Sequence, residues 1–252
     1  MAADPPDPTI QDMSGPLLVA MALAAAAGFL DAHLYLFVDA VFVANQSGNV
    51  VLLGMGLGQR NQEQVVAPAI SITMFMVGIA VSTWVHNRRV LQRRRRRPDA
   101  VLALEAVLIV LLGAFIWITG GYEGSLLDAA AYPALAVGAF AMGLQTMVLK
   151  KVGDVAVATT YESGAVAQLG SETVLASTSA DPFERARRHT TIEVLASVVA
   201  AYTGGAALAA AMSGRSWVLI LPVLVLGALA LHLRVHIVRT HPADAEVAPP
   251  VG

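Results

Sequence analysis

The chain contains no cysteine, which rules out disulfides, thiolate nucleophiles and cysteine-based metal sites and leaves the redox compartment open. Charge is scarce as well: 13% of the 252 residues are Asp, Glu, Lys or Arg against 56% hydrophobic, and the mean hydropathy is +0.65. That much apolar surface exceeds what one soluble domain can bury and fits a polytopic, all-α membrane protein. Enzyme signatures are missing too. There is no P-loop, no His-Glu-x-x-His and no Gly-x-Ser-x-Gly, and Ser163 in YESGA has no neighbouring base apart from Glu162. No catalytic residue, cofactor or metal is therefore assigned. The opening MAADPPDPTIQDMSG lacks the basic segment of a secretory signal and reads as a short disordered tail.

What is present is a series of apolar stretches. Six reach the roughly 20 residues that a helix needs to cross a hydrocarbon core: Pro16 to Val38, Val65 to Val85, Val101 to Gly120, Ala129 to Leu149, Thr190 to Met212 and Ser216 to Val235. Two more, Val41 to Gly58 and Val155 to Ala176, are interrupted by polar residues and Gly and could span or re-enter. Charge chooses between these. If both span, ten Lys and Arg residues lie on one side and six on the other; if both re-enter, fourteen face Arg60 and Arg215 alone. The positive-inside rule prefers the second arrangement, with six spans and cytoplasmic termini in a cell (plasma) membrane. The expected organisation is a disordered tail over 1–15, a first membrane repeat over 16–120, a second over 121–238 and a disordered tail over 239–252.

The word "repeat" rests on a shift of 116 residues, which lays VFVANQSGNVVLLG (Val41 to Gly54) on VATTYESGAVAQLG (Val157 to Gly170) with six identities in fourteen. Each copy follows an Ala/Gly-rich span and precedes a span with a central Gly. Three crossings per half is an odd number, so the second half enters from the opposite side and the repeat is inverted, an architecture found in secondary transporters. These stretches also carry a resemblance. Gly28 to Asp31, the Gly48-Asn49 pair, Met142 to Gln145 and Thr159-Thr160-Tyr161 resemble the YoaK/DUF1275 family of bacterial multi-pass membrane proteins, over most of Leu17 to Leu233. The resemblance implies six transmembrane segments and a membrane location, and names no substrate. Ser47-Gly48-Asn49, Gln145-Thr146 and Glu162 depart from the pattern it leads one to expect.

A helix that breaks inside lipid frees N–H and C=O groups, each costing several kcal/mol if unsatisfied. Asn45, Gln46, Ser47, Gly48 and Asn49, with Thr159, Thr160, Tyr161, Ser163 and Gly164, are residues able to satisfy or tolerate such a break. They either stabilise a kink or, with Gln145, bind a small solute. A half-helix starting near Gly48 or Gly164 aims N–H groups inward, which favours an anionic or zwitterionic ligand. Both motifs are expected to line one shared polar cavity. Carboxyl groups in spans must face protein or water: Glu162 is a candidate proton carrier, and Asp31 a candidate latch to His33 or to an Arg or Lys of the other half. Glu105 and Glu193 read as members of salt bridges at the rim.

The remaining features are structural. Ala20, Ala24, Gly28 and Ala32 recur every four residues, as do Ser197, Ala201, Gly205 and Ala209, and such stripes let helices approach closely. The cluster Arg88 to Arg97 flanks a span without aromatic interleaving, so its expected partner is anionic lipid, not nucleic acid. His232 and His236 share a helical face, but no nearby carboxylate makes a metal site of them. The leading functional expectation is a transporter or channel for a small solute. A non-transporting scaffold or sensor, or an intramembrane enzyme, are the alternatives.

Overall fold

The computed structural model describes residues 14–92, 97–119, 128–149, 151–152, 155–157, 159–160, 162–212 and 216–239. Apart from Ser14 and Arg239, the two expected disordered tails, 1–15 and 239–252, lie outside these residues or, at Gly15, merge into the first helix. The described chain is α-helical, with one two-stranded exception. Helix α1 (Ser14–Phe37) is followed by α2 (Gln46–Gln59), α3 (Gln62–Leu91) and α4 (Pro98–Ile118). Helix α5 (Asp128–Gln145) leads through strands β1 (Lys151–Val152) and β2 (Val155–Ala156) to α6 (Glu162–Thr178) and α7 (Pro182–Ala211). A 3-10 turn, Ser216–Leu219, opens into α8 (Ile220–Arg239). The strands pair antiparallel, Lys151 with Ala156 and Val152 with Val155.

Length separates two kinds of helix. Five helices, α1, α3, α4, α7 and α8, are long and apolar enough to cross a membrane, and α5 contributes a shorter apolar helix, Ala130–Gln145. At 1.5 Å per residue, α2 extends only about 21 Å and α6 about 25 Å, short of a hydrocarbon core of about 30 Å. Both ambiguous stretches are therefore broken. The segment from Val41 is non-helical until Asn45, whose side chain caps α2 by accepting from the Gly48 N–H. The segment from Val155 begins as a strand, and its helix starts only at Glu162.

Local chemistry sets the other boundaries. Pro98 occupies the first turn of α4, where its fixed φ fits and its missing N–H is not needed. Pro182 does the same in α7, after Asp181 has capped the helix through the Phe183 N–H at 3.0 Å. Pro68 lies inside α3 and removes the N–H that Gln64 C=O would otherwise receive. That carbonyl rests against Gly56 of α2, where a side chain would not fit.

Helix α1 is the most buried of the long apolar helices, from Val19, Ala20, Leu23 and Ala24 through Phe29, Leu30 and Leu34, and so forms the centre of the molecule. It packs along α7 and, less extensively, on α8 and α5; α3 packs on α5, α4 on α8 and α5, α2 on α3, and α6 on α7. The small-residue stripes are where α1 and α7 meet. A Cβ on Gly28 would overlap the Tyr202 carbonyl, and one on Gly205 the Ala25 carbonyl. Helices α3 and α5 meet in the same manner through Gly78 and Gly143.

Outward faces are as apolar as the core. On α4, Leu104, Val107, Val110 and Leu111 point out while Leu102, Ala106, Ile109 and Leu112 point in, as lipid-facing helices require. All three tryptophans, Trp84, Trp117 and Trp217, are exposed near helix ends, the depth at which indole rings anchor in a bilayer. Arg88 lies over the Trp84 ring at 4.2 Å, and Arg97 holds Asp99 at 2.9 Å; residues 93–96 of the basic run lie outside the described residues. Glu193 is exposed, and Glu172 of α6 pairs with Arg188 of α7 at 2.8 Å. Glu105 departs from the rim expectation. Because α4 begins at Pro98, Glu105 lies two turns inside the helix, 0% exposed and, among the described residues, without a salt bridge.

Candidate functional site

The first polar motif is a closed network. The Asp31 carboxyl, near the end of α1, accepts the backbone N–H groups of Val43 and Ala44 on Oδ1 at 2.7 and 2.6 Å. Its Oδ2 accepts the Asn45 N–H at 2.9 Å and the hydroxyl of Tyr202 from α7. Three successive N–H groups leading into α2 thus already have an acceptor, supplied by the protein. From the second half Asp31 meets the phenol of Tyr202, where the sequence reading expects Arg or Lys.

Asn49 completes the network from the first turn of α2. It is fully buried, donates to Phe42 C=O at 2.6 Å, Gln46 Oε1 at 2.8 Å and Ser71 Oγ at 3.0 Å, and accepts from Phe42 N–H at 3.0 Å. Ser71 of α3 in turn donates to Phe42 C=O at 2.7 Å, and Gln46 Nε2 reaches Val43 C=O at 2.9 Å. Ser47 faces outward and donates to Asn45 Oδ1 at 2.8 Å, while Gly48 lies against the Phe42 ring. Replacing Asn49 by alanine should cost about 2–3 kcal/mol, because it strands the part-buried Phe42 N–H and leaves Ser71 and Gln46 without their shared amide. Ser47→Ala, at an exposed position, should stay within about 0.5 kcal/mol. Thermal unfolding of the two variants in detergent measures the contrast.

The second motif is built differently. Gln145, at the end of α5, donates to Leu23 C=O of α1 at 3.1 Å and to Thr159 Oγ1 at 3.4 Å. Thr146 Oγ1 and Thr160 Oγ1 are 3.1 Å apart. Thr159 and Thr160 are buried, and Gln145 Oε1 is buried without a hydrogen-bond partner among the described residues. Ser163 is exposed, Tyr161 lies outside the described residues, and so does the side chain of Glu162, the candidate proton carrier. Gly164 lines a cleft of about 250 Å³ with Val157, Gln168 and, from α7, Leu195 and Val198.

The two motifs occupy comparable places with unlike chemistry. Gly28-Phe29-Leu30-Asp31 lies in the last turns of α1 and Gly143-Leu144-Gln145-Thr146, 115 residues on, at the end of α5, while the 116-residue shift lays Thr159 and Thr160 on Val43 and Ala44. A carboxyl group holds the first segment; neutral Gln145 and Thr146 hold the second. Among the described residues the two motifs are not brought into one cavity. The cleft at Gly164 includes no residue of the first motif, and the two networks touch α1 at Asp31 and Leu23, about 12 Å apart along the helix. Ser71, Tyr202 and Thr146 were not among the candidates that the sequence supplied. Their signal is a hydroxyl inside an apolar span, which is weak on its own because Ser and Thr also bond their own helix.

The model of the family described as "Protein of unknown function (DUF1275)" matches residues 19–232. A curated relative, the "UPF0700 transmembrane protein YoaK" of Bacillus subtilis (strain 168), is 28% identical over 150 residues, which is 58% of this chain. The match spans 62% of that relative's own length. No solved structure matches the chain. The apolar helices and the transmembrane relative make this a multi-pass membrane protein, and the match over most of its length means that the chain belongs to the DUF1275 family.

Proposed function

We propose that the protein is a transporter or channel for a small anionic or zwitterionic solute, bound at the second polar motif, while the first motif is a structural anchor. One observation carries this reading. Asp31 satisfies the N–H groups ahead of α2, whereas the matching positions ahead of α6 have, among the described residues, neutral Gln145 and Thr146 bonded to them and open two residues away onto the cleft at Val157 and Gly164. The start of α6 and the Thr hydroxyls supply donors for a carboxylate or similar anion, and Gln145 Oε1 supplies an acceptor for an ammonium group. Glu162, at the first position of α6, is the proposed proton carrier. No catalytic residue and no cofactor enter this reading.

The arrangement proposed is a 3+3 inverted repeat in a bacterial inner membrane, with both termini cytoplasmic and Arg88 to Arg97 against anionic lipid. It is supported by the helix packing: exchanging α1 to α4 for α5 to α8 turns α1 on α7 into α5 on α3, α2 on α3 into α6 on α7, and returns α4 on α8 to itself. It is supported too by the two networks meeting α1 at different depths, one at Leu23 and the other at Asp31. Because the chain has no cysteine, single cysteines report topology without background. Introduced at Arg187 and in the C-terminal tail, they should resist membrane-impermeant reagent from outside, and one at Arg60 should react. External labelling at Arg187 would overturn the six-span arrangement.

Purified protein in liposomes, offered labelled amino acids and small carboxylates across an imposed pH gradient, tests the function. Uptake should be lost in Gly164→Leu, which fills the cleft, and survive in Ser47→Ala. Uptake with a pH dependence unchanged in Glu162→Gln would remove the proton carrier and keep the transporter. A scaffold or sensor is the second reading, favoured by the self-contained first network; folded protein that moves no solute would support it.

A further inference from the structure

Glu105 lies in the interface that α4 makes with α5 and α8, on the same stripe as Leu102, Ile109 and Leu112. It is fully buried, and neither carboxyl oxygen has a hydrogen-bond partner among the described residues. This group is unlike Asp31, which fills both its oxygens. An ionised carboxyl without donors inside apolar packing is too costly to persist, and a group that does persist there is a functional candidate by default. One turn towards the start of α4 stands Val101, and neighbours four residues apart on a helix lie about 5–6 Å from each other. Val101 lines a small cleft of about 70 Å³ together with Ser82, His86 and Arg89 of α3 and Arg97 ahead of α4. The cleft reaches bulk water at the basic end of the molecule.

We propose that Glu105 is a proton-binding site within the membrane, loaded through the cleft at His86, Arg89 and Arg97 by way of Val101. The step is simple in its balance: a proton from water in the cleft adds to one carboxyl oxygen, and the same bond breaks on release. The arginines lining the cleft repel free cations and leave the proton, relayed through water, as the species that gets through. The other ionisable groups around Glu105 are few. Arg97 is engaged by Asp99. Helix α5 carries Asp128 and Tyr132 towards its start, and α8 carries His232, Arg234, His236 and Arg239 towards its end. Leu219 packs beside Gly113, so α4 and α8 run antiparallel and this end of α8 lies beyond Glu105 at the level of the cleft.

The inference requires that α4 cross the membrane and does not require that any solute move. Infrared difference spectra of the full chain in liposomes, without solute, test it directly. Wild type should show the C=O stretch of a protonated carboxyl at neutral pH that is lost in Glu105→Gln, a variant of nearly the same shape whose folding is checked by thermal unfolding. Transfer to heavy water should shift that band promptly in wild type. Val101→Phe or Ser82→Leu, each of which fills the cleft, should slow the shift by on the order of tenfold, since exchange then needs the packed helices to open. Identical spectra for wild type and Glu105→Gln would overturn the proton site. A band that exchanges at the wild-type rate in both cleft variants would overturn the route.

Discussion

Asp31→Ala should be the most damaging single polar substitution in the protein, lowering stability by about 3–5 kcal/mol. The carboxyl receives the N–H groups of Val43, Ala44 and Asn45 and the Tyr202 hydroxyl, and it is buried. Alanine leaves three backbone donors without an acceptor in a place where each orphan costs about 1–3 kcal/mol. Asparagine is no safe replacement, since its amide N–H groups would confront two of the donors that one oxygen now accepts. Tyr202→Phe removes one hydroxyl and keeps the ring, so it should cost only about 1–2 kcal/mol. Thermal unfolding in detergent, with limited proteolysis across residues 38–45, distinguishes local release of that segment from global loss. If Asp31→Ala unfolds at the wild-type temperature, the segment is held by something other than this carboxyl.

Gly204→Ala and Gly205→Ala should move stability in opposite directions although the residues are adjacent. A Cβ on Gly204 meets nothing within 4 Å, so alanine there gains helix propensity, worth up to about 1 kcal/mol. A Cβ on Gly205 would fall within hard contact of the Ala25 carbonyl on α1, and backbone cannot step aside as a side-chain tip can. The α1 and α7 axes would have to separate, losing the interface that buries Ala20, Ala24 and Leu23, at a cost of about 1–3 kcal/mol or more. Gly28→Ala should act like Gly205→Ala, and Gly78→Ala and Gly143→Ala should do the same between α3 and α5. Combining Gly28→Ala with Gly205→Ala should cost less than the sum, because both push on one interface. Equal melting temperatures for Gly204→Ala and Gly205→Ala would show that the two helices are not held at glycine distance.

The apolar stretches, the two breaks and the small-residue stripes were legible because each is a local property. Pro16 to Val38 and α1 (Ser14–Phe37) differ by two residues at one end and one at the other, since composition and a period near four suffice to place a helix. The breaks at Asn45 and before Glu162 follow from residues that cap or leave a helix. The purpose of the polar residues was not legible. Asn49 looks equally suited to a solute and to Phe42, and only folding brings the Phe42 peptide and Ser71, 22 residues away in sequence, against its amide.

The chain's own residue order thus determined that it lives in a membrane, where its helices run and which faces can pack closely, because hydropathy, helix period and side-chain size act over a few residues. The tertiary structure alone decided which polar groups are spent on the fold and which are left over. Asp31 finds Tyr202 at a separation of 171 residues and Gln145 finds Leu23 at 122, whereas Glu105, two turns into its helix, is enclosed with no hydrogen-bond partner among the described residues. The physical reason is that a hydrogen bond needs two groups within about 3 Å, and which helices cross at a given carboxyl is set by packing over the whole molecule.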